Sequence, residues 1–145
     1  MKFDELKFEI CDDFASGDFI FDAYGNSLNE LFAACAAACF HAITDLEKVR
    51  PVRKYSLQQN GENAEELLYN FISELIYLKD TEKLFLSDYD IDISPDRKAL
   101  KAIVAGESID YDRHTIKTDV KAATYHDLKI EKVGNGFKVR MVLDL

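Results

Sequence analysis

Four side chains near the end of the chain have types that could do chemistry together. The stretch KTDVKAATYHDLKI, residues 117–130, carries Lys121, Tyr125 and His126, and the penultimate residue of the chain is Asp144. A cation, a phenol, an imidazole and a carboxylate are a usable set around a metal ion or a phosphate. Mixed polar residues are also common on surface strands, so residue types alone do not decide between a site and an exposed strand.

Two other groups have residue types found in metal sites. The three cysteines are Cys11, Cys35 and Cys39. Cys35 and Cys39 lie one helical turn apart on an apolar stripe, which favours core cysteines over a soft-metal site. Alternating aspartates form a possible cation ladder at Asp88, Asp90 and Asp92. Their alternation with apolar residues is more typical of a half-exposed strand. No Ser or Cys stands in a known nucleophile motif, so no catalytic triad is predicted.

Composition limits the class of protein. A chain of 145 residues fits one domain, which buries roughly two-thirds of the surface that its unfolded chain would expose. The formal net charge of −9 argues against electrostatic binding to the phosphates of nucleic acid, and it favours binding of cations or of a basic partner. The odd cysteine count without CxxC spacing, and the lack of a long apolar run, predict a cytoplasmic protein without a disulfide framework.

The segment DFIFDAYG, residues 18–25, has the period of a strand. One face is predicted to carry Phe19, Phe21 and Ala23. The other face is predicted to carry Asp18, Ile20, Asp22 and Tyr24. The Ser-x-x-Glu spacing of Ser27 and Glu30 then predicts a capped helix that ends near Thr44.

The rest of the chain predicts a second helix and two hairpins. Apolar residues recur at helical spacing after the NGEN turn at residues 60–63. Segments 88–93 and 99–105 flank a Ser-Pro-Asp turn, and Gly134–Gly136 connects the last two strands. These elements predict a two-layer α+β fold, with an antiparallel or mixed sheet and both helices packed on one face. The glycines form no phosphate-binding loop, which disfavours a nucleotide-binding fold.

Three stretches of the sequence together resemble one known family. KTDVKAATYHDLKI, a glycine-containing turn and a final VLDL are similar to its C-terminal signature, which is the most specific part of the resemblance. DFIFDAYGNSLNELFAACAAACFHAITDLEKVRP resembles its early strand, capped helix and loop, and ELLYNFISELIYLKDTEKL resembles its second helix. The family is archease, small proteins that assist the RtcB-type RNA ligase. The resemblance covers the whole chain and implies one archease-like domain, residues 1–145.

The resemblance implies a divalent-cation site. The family's ligands are the second aspartate of an early D-H-T-A-D motif and the aspartate next to the C-terminus, which match Asp18 and Asp144. The early motif reads CDDFASGD here, without its histidine and threonine. Its first aspartate is replaced by Asp12 or Asp13 if the loop contains an insertion. Additional metal or phosphate contacts are predicted for Asp13, Lys121 and His126. Oxygen ligands of this kind select Ca²⁺, Mg²⁺ or Mn²⁺.

The resemblance also implies an accessory function. The RtcB-type ligase joins an RNA end carrying a 2′,3′-cyclic phosphate or 3′-phosphate to a 5′-hydroxyl, using GTP, Mn²⁺ and a guanylylated histidine of the ligase. Archease promotes that guanylylation and allows repeated turnover, in tRNA splicing and RNA repair. We therefore expect a non-catalytic activator that meets RNA only indirectly and contacts no membrane.

Two functions of other classes stay open on the residues alone. The first is a stand-alone metal-dependent phosphoester hydrolase, with the same carboxylates as ligands and His126 as general acid or base. The second is a metal-independent, chaperone-like interaction module whose acidic surface docks a basic partner. Turnover of a phosphate ester without any ligase would indicate the hydrolase, and binding that resists chelators would indicate the interaction module.

Overall fold

The fold is known from a computed structural model, which describes the backbone of residues 1–13 and 17–145 and the side chains of residues 1–11 and 17–145. In this part of the chain the helices are α1 (Leu28–Ile43) and α2 (Ala64–Glu82). The strands are β1 (Lys7–Asp13), β2 (Asp18–Gly25), β3 (Arg53–Asn60), β4 (Leu84–Ile93), β5 (Ala99–Ser108), β6 (Ala122–Ala123), β7 (Ile130–Val133) and β8 (Gly136–Asp144).

The described strands form two antiparallel sheets. In the larger sheet β1, β2 and β8 lie side by side, and β6 and β7 both pair with the other edge of β8. The smaller sheet has the order β3-β5-β4. The predicted α+β class is confirmed, but the prediction of a single sheet was wrong. Strand period and turn residues identify hairpins, whereas they do not determine which hairpins pair with one another.

Helix α1 lies between the two sheets. It contacts β2 and β8 of the larger sheet, β4 of the smaller sheet, and α2. Every side chain from Leu31 to Phe40 is fully buried. The sequence predicted one apolar stripe on this helix, but the alanines between the larger residues make the helix apolar all round. A helix of that kind is stable only when it is covered on all sides.

Both ends of α1 and both hairpins are confirmed, although β4 already begins at Leu84 and β5 continues to Ser108. The Ser27 hydroxyl accepts from the Glu30 N–H at 3.2 Å, and α1 ends at Ile43. The β4–β5 and β7–β8 hairpins form as predicted, and Gly134 takes the positive φ of 59° that the second turn requires. Within the described residues, no helix is both long and apolar enough to cross a membrane.

Candidate functional site

The acidic pair predicted from the sequence lies at one end of the larger sheet. Asp18 begins β2 and Asp144 ends β8, and the two are direct partners in the antiparallel pairing. Directly opposite residues project from the same face of a sheet, with Cβ atoms about 5 Å apart. Their neighbours Phe19 and Leu143 are buried, so both aspartates belong to the outer face. The pairing of β2 with β8 brings these two carboxylates together from opposite ends of the chain.

The two carboxylates have no counter-ion in the described part of the chain. Neither forms a hydrogen bond or ion pair with another residue whose side chain is described. The backbone around them is fixed. The Asp144 carbonyl accepts from the Lys121 N–H at 2.8 Å, and the Leu145 N–H donates to the Gly17 carbonyl at 3.2 Å. Because like charges opposite each other destabilise a sheet, this end of the sheet is suited to a cation.

Another aspartate on the same face of β2 is neutralised within the protein. Asp22 lies opposite Arg140, whose Nε and Nη2 donate to its carboxylate oxygens at 2.8 and 3.1 Å. Lys138 Nζ lies 3.6 Å from the same carboxylate. The Arg140 guanidinium is the main group that holds the pKa of Asp22 below its ordinary value. Sequence analysis placed Asp22 on the polar face but did not identify its partner, because strand period does not encode the register with a distant strand.

The other residues of the C-terminal motif lie along the β6 side of β8. The side chain of Lys121 is exposed and forms no ion pair with a described residue. Tyr125 packs against a tyrosine of α2, with ring centroids 5.1 Å apart. His126 is exposed, and its Nε2 lies 3.1 Å from the carboxylate of Asp127. Lys121 is therefore tied to Asp144 through the backbone, whereas His126 pairs with its sequence neighbour and not with the acidic pair.

The side chain of Asp13 lies outside the described residues, so its predicted contact stays a prediction. Its backbone ends β1 and pairs with Phe19, next to Asp18. Among the described side chains, no three His, Cys, Asp or Glu groups are placed to hold a metal ion. The described donors are thus the carboxylates of Asp18 and Asp144. Mg²⁺ is commonly held by one or two carboxylates together with water and phosphate oxygens, so this donor set fits a divalent cation.

The cysteines and the aspartate ladder have other surroundings. Cys35 and Cys39 are fully buried in α1, as predicted for core residues, and burial raises the pKa of Cys39 to about 12. Cys11 is exposed on β1. Of the ladder, Asp88 and Asp90 accept from the Met1 amino group at 3.1 and 2.7 Å. The described members of both groups therefore form no metal site.

A buried polar cluster that sequence analysis missed joins β5 to the loop before β3. Glu107 accepts from the Arg50 N–H at 2.6 Å, from His114 Nε2 at 3.1 Å and from the Arg113 guanidinium. The Asp110 N–H donates to His114 Nδ1 at 2.9 Å, which places the imidazole proton on Nε2. Burial alone would raise the pKa of Glu107, but its donors together hold it below the ordinary value. The imidazole has a partner on each nitrogen, so the cluster ties the Asp110–His114 turn to β5.

Comparison with known proteins identifies the family. A model of the Archease protein family (MTH1598/TM1083) matches residues 8–145. The protein archease of Pyrococcus abyssi is 43% identical over 115 residues, which cover 78% of this chain and 81% of that one. The protein archease of Sulfurisphaera tokodaii is 37% identical over 123 residues, which cover 85% and 88%.

Solved structures share the fold. The solution structure of protein 1598 from Methanobacterium thermoautotrophicum matches with a TM-score of 0.80 and 33% identity, covering 95% of this chain and 98% of that one. The crystal structure of an archease from Thermotoga maritima, described as a possible chaperone, matches with a TM-score of 0.62 over 89% and 91% of the two chains. Its 20% identity supports the fold alone. From the family match, the curated relatives and the shared fold, we conclude that this chain belongs to the archease family.

Proposed function

We propose that this protein activates an RtcB-type RNA ligase in tRNA splicing and RNA repair, with a divalent cation bound at Asp18 and Asp144. The observation that carries the proposal is the register of β2 and β8, which sets two carboxylates opposite each other without a described counter-ion. The proposal also uses the resemblance of KTDVKAATYHDLKI and the final VLDL to the archease signature.

Family membership supports an accessory role with a protein as partner. Archeases are a non-catalytic accessory family, so the chain is not itself an enzyme. The Thermotoga maritima structure is described as a possible chaperone, which agrees with action on another protein. Membership in such a family does not support the stand-alone hydrolase that the sequence left open. The choice of an RtcB-type ligase as partner is our proposal.

The chemistry of the acidic pair indicates how a cation would be used. Two carboxylates supply hard oxygen ligands, and they leave several positions of a Ca²⁺, Mg²⁺ or Mn²⁺ ion for water or for phosphate oxygens. A bound divalent cation would offset the repulsion between the carboxylates of Asp18 and Asp144. Asp22 needs no such cation, because Arg140 neutralises its charge. We infer that this acidic end of the sheet meets the ligase active site and helps to place metal or GTP there.

Multiple-turnover RNA ligation at limiting Mn²⁺ and GTP tests this function. We expect the wild-type protein to stimulate the ligase, and Asp18→Asn and Asp144→Asn to leave the ligase at its unstimulated rate. Both variants should fold with unchanged or slightly raised stability, because each removes a like-charge repulsion. Asp92→Asn, which changes an exposed aspartate of the smaller sheet, is the matched control and should stimulate fully.

A second measurement locates the cation. Mn²⁺ is paramagnetic, so amide resonances close to it broaden, and we expect broadening at Asp18 and Asp144 in the wild-type protein and none there in Asp144→Asn. Full stimulation by both aspartate variants would refute the cation site and favour a metal-independent, chaperone-like module. In that case chelators should leave binding to the ligase unchanged.

A further inference from the structure

Lys79 is a buried lysine whose ammonium group has three oxygen acceptors. It lies in the last turns of α2, and only 4% of its side chain is exposed. Nζ donates to Asp119 Oδ1 at 2.6 Å and to the Val120 carbonyl at 2.9 Å, and it lies 3.0 Å from Asp80 Oδ1. Three acceptors match the three protons of an ammonium group, so the buried charge is fully paired.

Packing does not explain a lysine at this position. Lys79 continues the buried stripe of α2 formed by Ile72, Leu75 and Ile76. Moving an ammonium group out of water costs several kcal/mol, and replacing a buried ion pair by an apolar residue of similar size is often neutral or stabilising. Asp119 and Asp80 overcome the effect of burial and raise the pKa of Lys79, so the group stays charged. What the charge of Lys79 does provide is a set of directed contacts to Asp119 and to the Val120 carbonyl.

Lys79 contacts an irregular segment of the chain, residues 116–121, which we call the strap. The strap lies between the Asp110–His114 turn and β6. At its start the strap is fixed to the end of α1, where the Lys117 N–H donates to the Ile43 carbonyl at 2.8 Å. At its end the Lys121 N–H donates to the Asp144 carbonyl at 2.8 Å. The two residues that bind Lys79 lie between these points, directly before Lys121.

The strand that follows the strap is too short to fix its own register. β6 has two residues, and it pairs Ala122 with Asp144 and Ala123 with Leu143. Register is normally fixed by an alternating buried face over several residues, which a two-residue strand does not have. Beyond the strand, the N–H and the hydroxyl of Thr124 both donate to the Val142 carbonyl, at 3.1 and 2.8 Å. Before the strand, Lys79 provides a buried, charge-assisted anchor.

We propose that Lys79 is a positioning residue for the candidate cation site. Through Asp119 and Val120 it sets the strap, and the strap in turn holds the end of β8, where the β2–β8 register places Asp144 opposite Asp18. The consequence for cation affinity rests on the function proposed above, whereas the consequence for the backbone does not.

The test uses Lys79→Met, which keeps the length of the side chain and removes the ammonium group. Asn63→Ala is the matched control, because it removes the N-cap of the same helix at the end far from the strap. Amide hydrogen exchange is measured at Lys121 and Thr124, whose N–H groups donate to the Asp144 and Val142 carbonyls. We expect Lys79→Met to lower protection at both amides by about tenfold relative to the β2 amides, and Asn63→Ala to leave that ratio unchanged.

Calorimetric titration with Ca²⁺ measures the effect on the site. Affinity should fall several-fold in Lys79→Met and stay at the wild-type value in Asn63→Ala. Asp119→Ala is a second variant in case Lys79→Met does not fold, because the Asp119 side chain is 70% exposed. It should change both readouts in the same direction, by less.

The outcomes separate this proposal from the proposed function. Unchanged protection at Lys121 in both variants would overturn the positioning role, and so would unchanged Ca²⁺ affinity after protection is lost. A wild-type protein that binds no Ca²⁺ would refute the cation site alone, and lost protection at Lys121 would then still support the role of Lys79 in holding the strap against the end of β8 that carries Asp144.

Discussion

Asp18 and Asp22 are both aspartates on the outer face of β2, and they differ in what β8 places opposite them. Asp22 faces Arg140 and is neutralised by it, whereas Asp18 faces Asp144. Identical residue types on one strand therefore have different chemistry, since the partner strand decides which carboxylate is satisfied. The acidic residue types at the site were predictable from the sequence, whereas their pairing was not.

At the residue scale, we expect a single reactive thiol in the native protein. Cys11 is exposed, whereas Cys35 and Cys39 are fully buried, and burial raises the pKa of Cys39 to about 12. Partial burial and the neighbouring Asp22 raise the pKa of Cys11, so it should react more slowly than a cysteine in an unfolded chain. An aromatic disulfide reagent should still modify exposed Cys11 in the native protein and reach the other two thiols only after unfolding. The absorbance of the released thiol counts the reacting groups.

The variant Cys11→Ser is the control for this count. Its native form should be inert to the reagent, and its unfolded form should react at two thiols. Rapid modification of native Cys11→Ser would show that α1 is not buried between the sheets as described.

At the scale of elements, α1 should resist any increase in side-chain size. Ala37 is fully buried in the part of the helix that lies between the two sheets. Ala37→Leu adds atoms to a packed interior, and overpacking of this kind costs about 1–3 kcal/mol. We expect the free energy of unfolding, measured by urea denaturation, to fall by that amount.

The same enlargement on α2 provides the comparison. Ser73 is half-buried on α2 and forms no hydrogen bond through its side chain with a described residue. Ser73→Leu should change the free energy of unfolding by less than about 0.5 kcal/mol. Equal losses in the two variants would contradict a central position for α1, because one-sided packing would tolerate both.

At the scale of the whole molecule, stability should fall in acid through one carboxylate on each sheet. The pKa of Asp22 is held below its ordinary value mainly by the Arg140 guanidinium. Burial would raise the pKa of Glu107, but its three hydrogen-bond donors hold it below the ordinary value. A lowered folded-state pKa contributes stability that is present above the unfolded-state pKa and is lost as pH falls through the folded-state pKa. We therefore expect the free energy of unfolding to decrease below about pH 4.

Replacing both carboxylates tests this assignment. Asp22→Asn combined with Glu107→Gln should lower stability at neutral pH and make the loss below about pH 4 shallower. Glu107→Gln alone should cost about 1–3 kcal/mol, since one carboxylate oxygen becomes an amide NH2, which leaves a buried donor without its acceptor and Arg113 without its counter-ion. If the stability of the double variant falls below about pH 4 as steeply as that of the wild-type protein, other titrating groups cause the loss.

Much of the fold followed from patterns within single elements. The two faces of β2, the cap at Ser27 and the turn at Gly134 each depend on residues a few positions apart, and all three are confirmed. The assignment of strands to two sheets was not predictable in this way, because it depends on which apolar faces cover α1. Lys79 did carry a signal in the sequence, since it stands at helical spacing within an apolar stripe.

The sequence by itself determined the local structure, the α+β class, the resemblance to archease and the acidic residues at the two predicted positions. Tertiary structure alone decided that Asp144 lies opposite Asp18, that Arg140 neutralises Asp22 and that Lys79 reaches the strap. The physical reason is the range of the interactions. Period, caps and turns depend on neighbours along the chain, whereas register, ion pairs and burial on two sides depend on residues that only folding brings together.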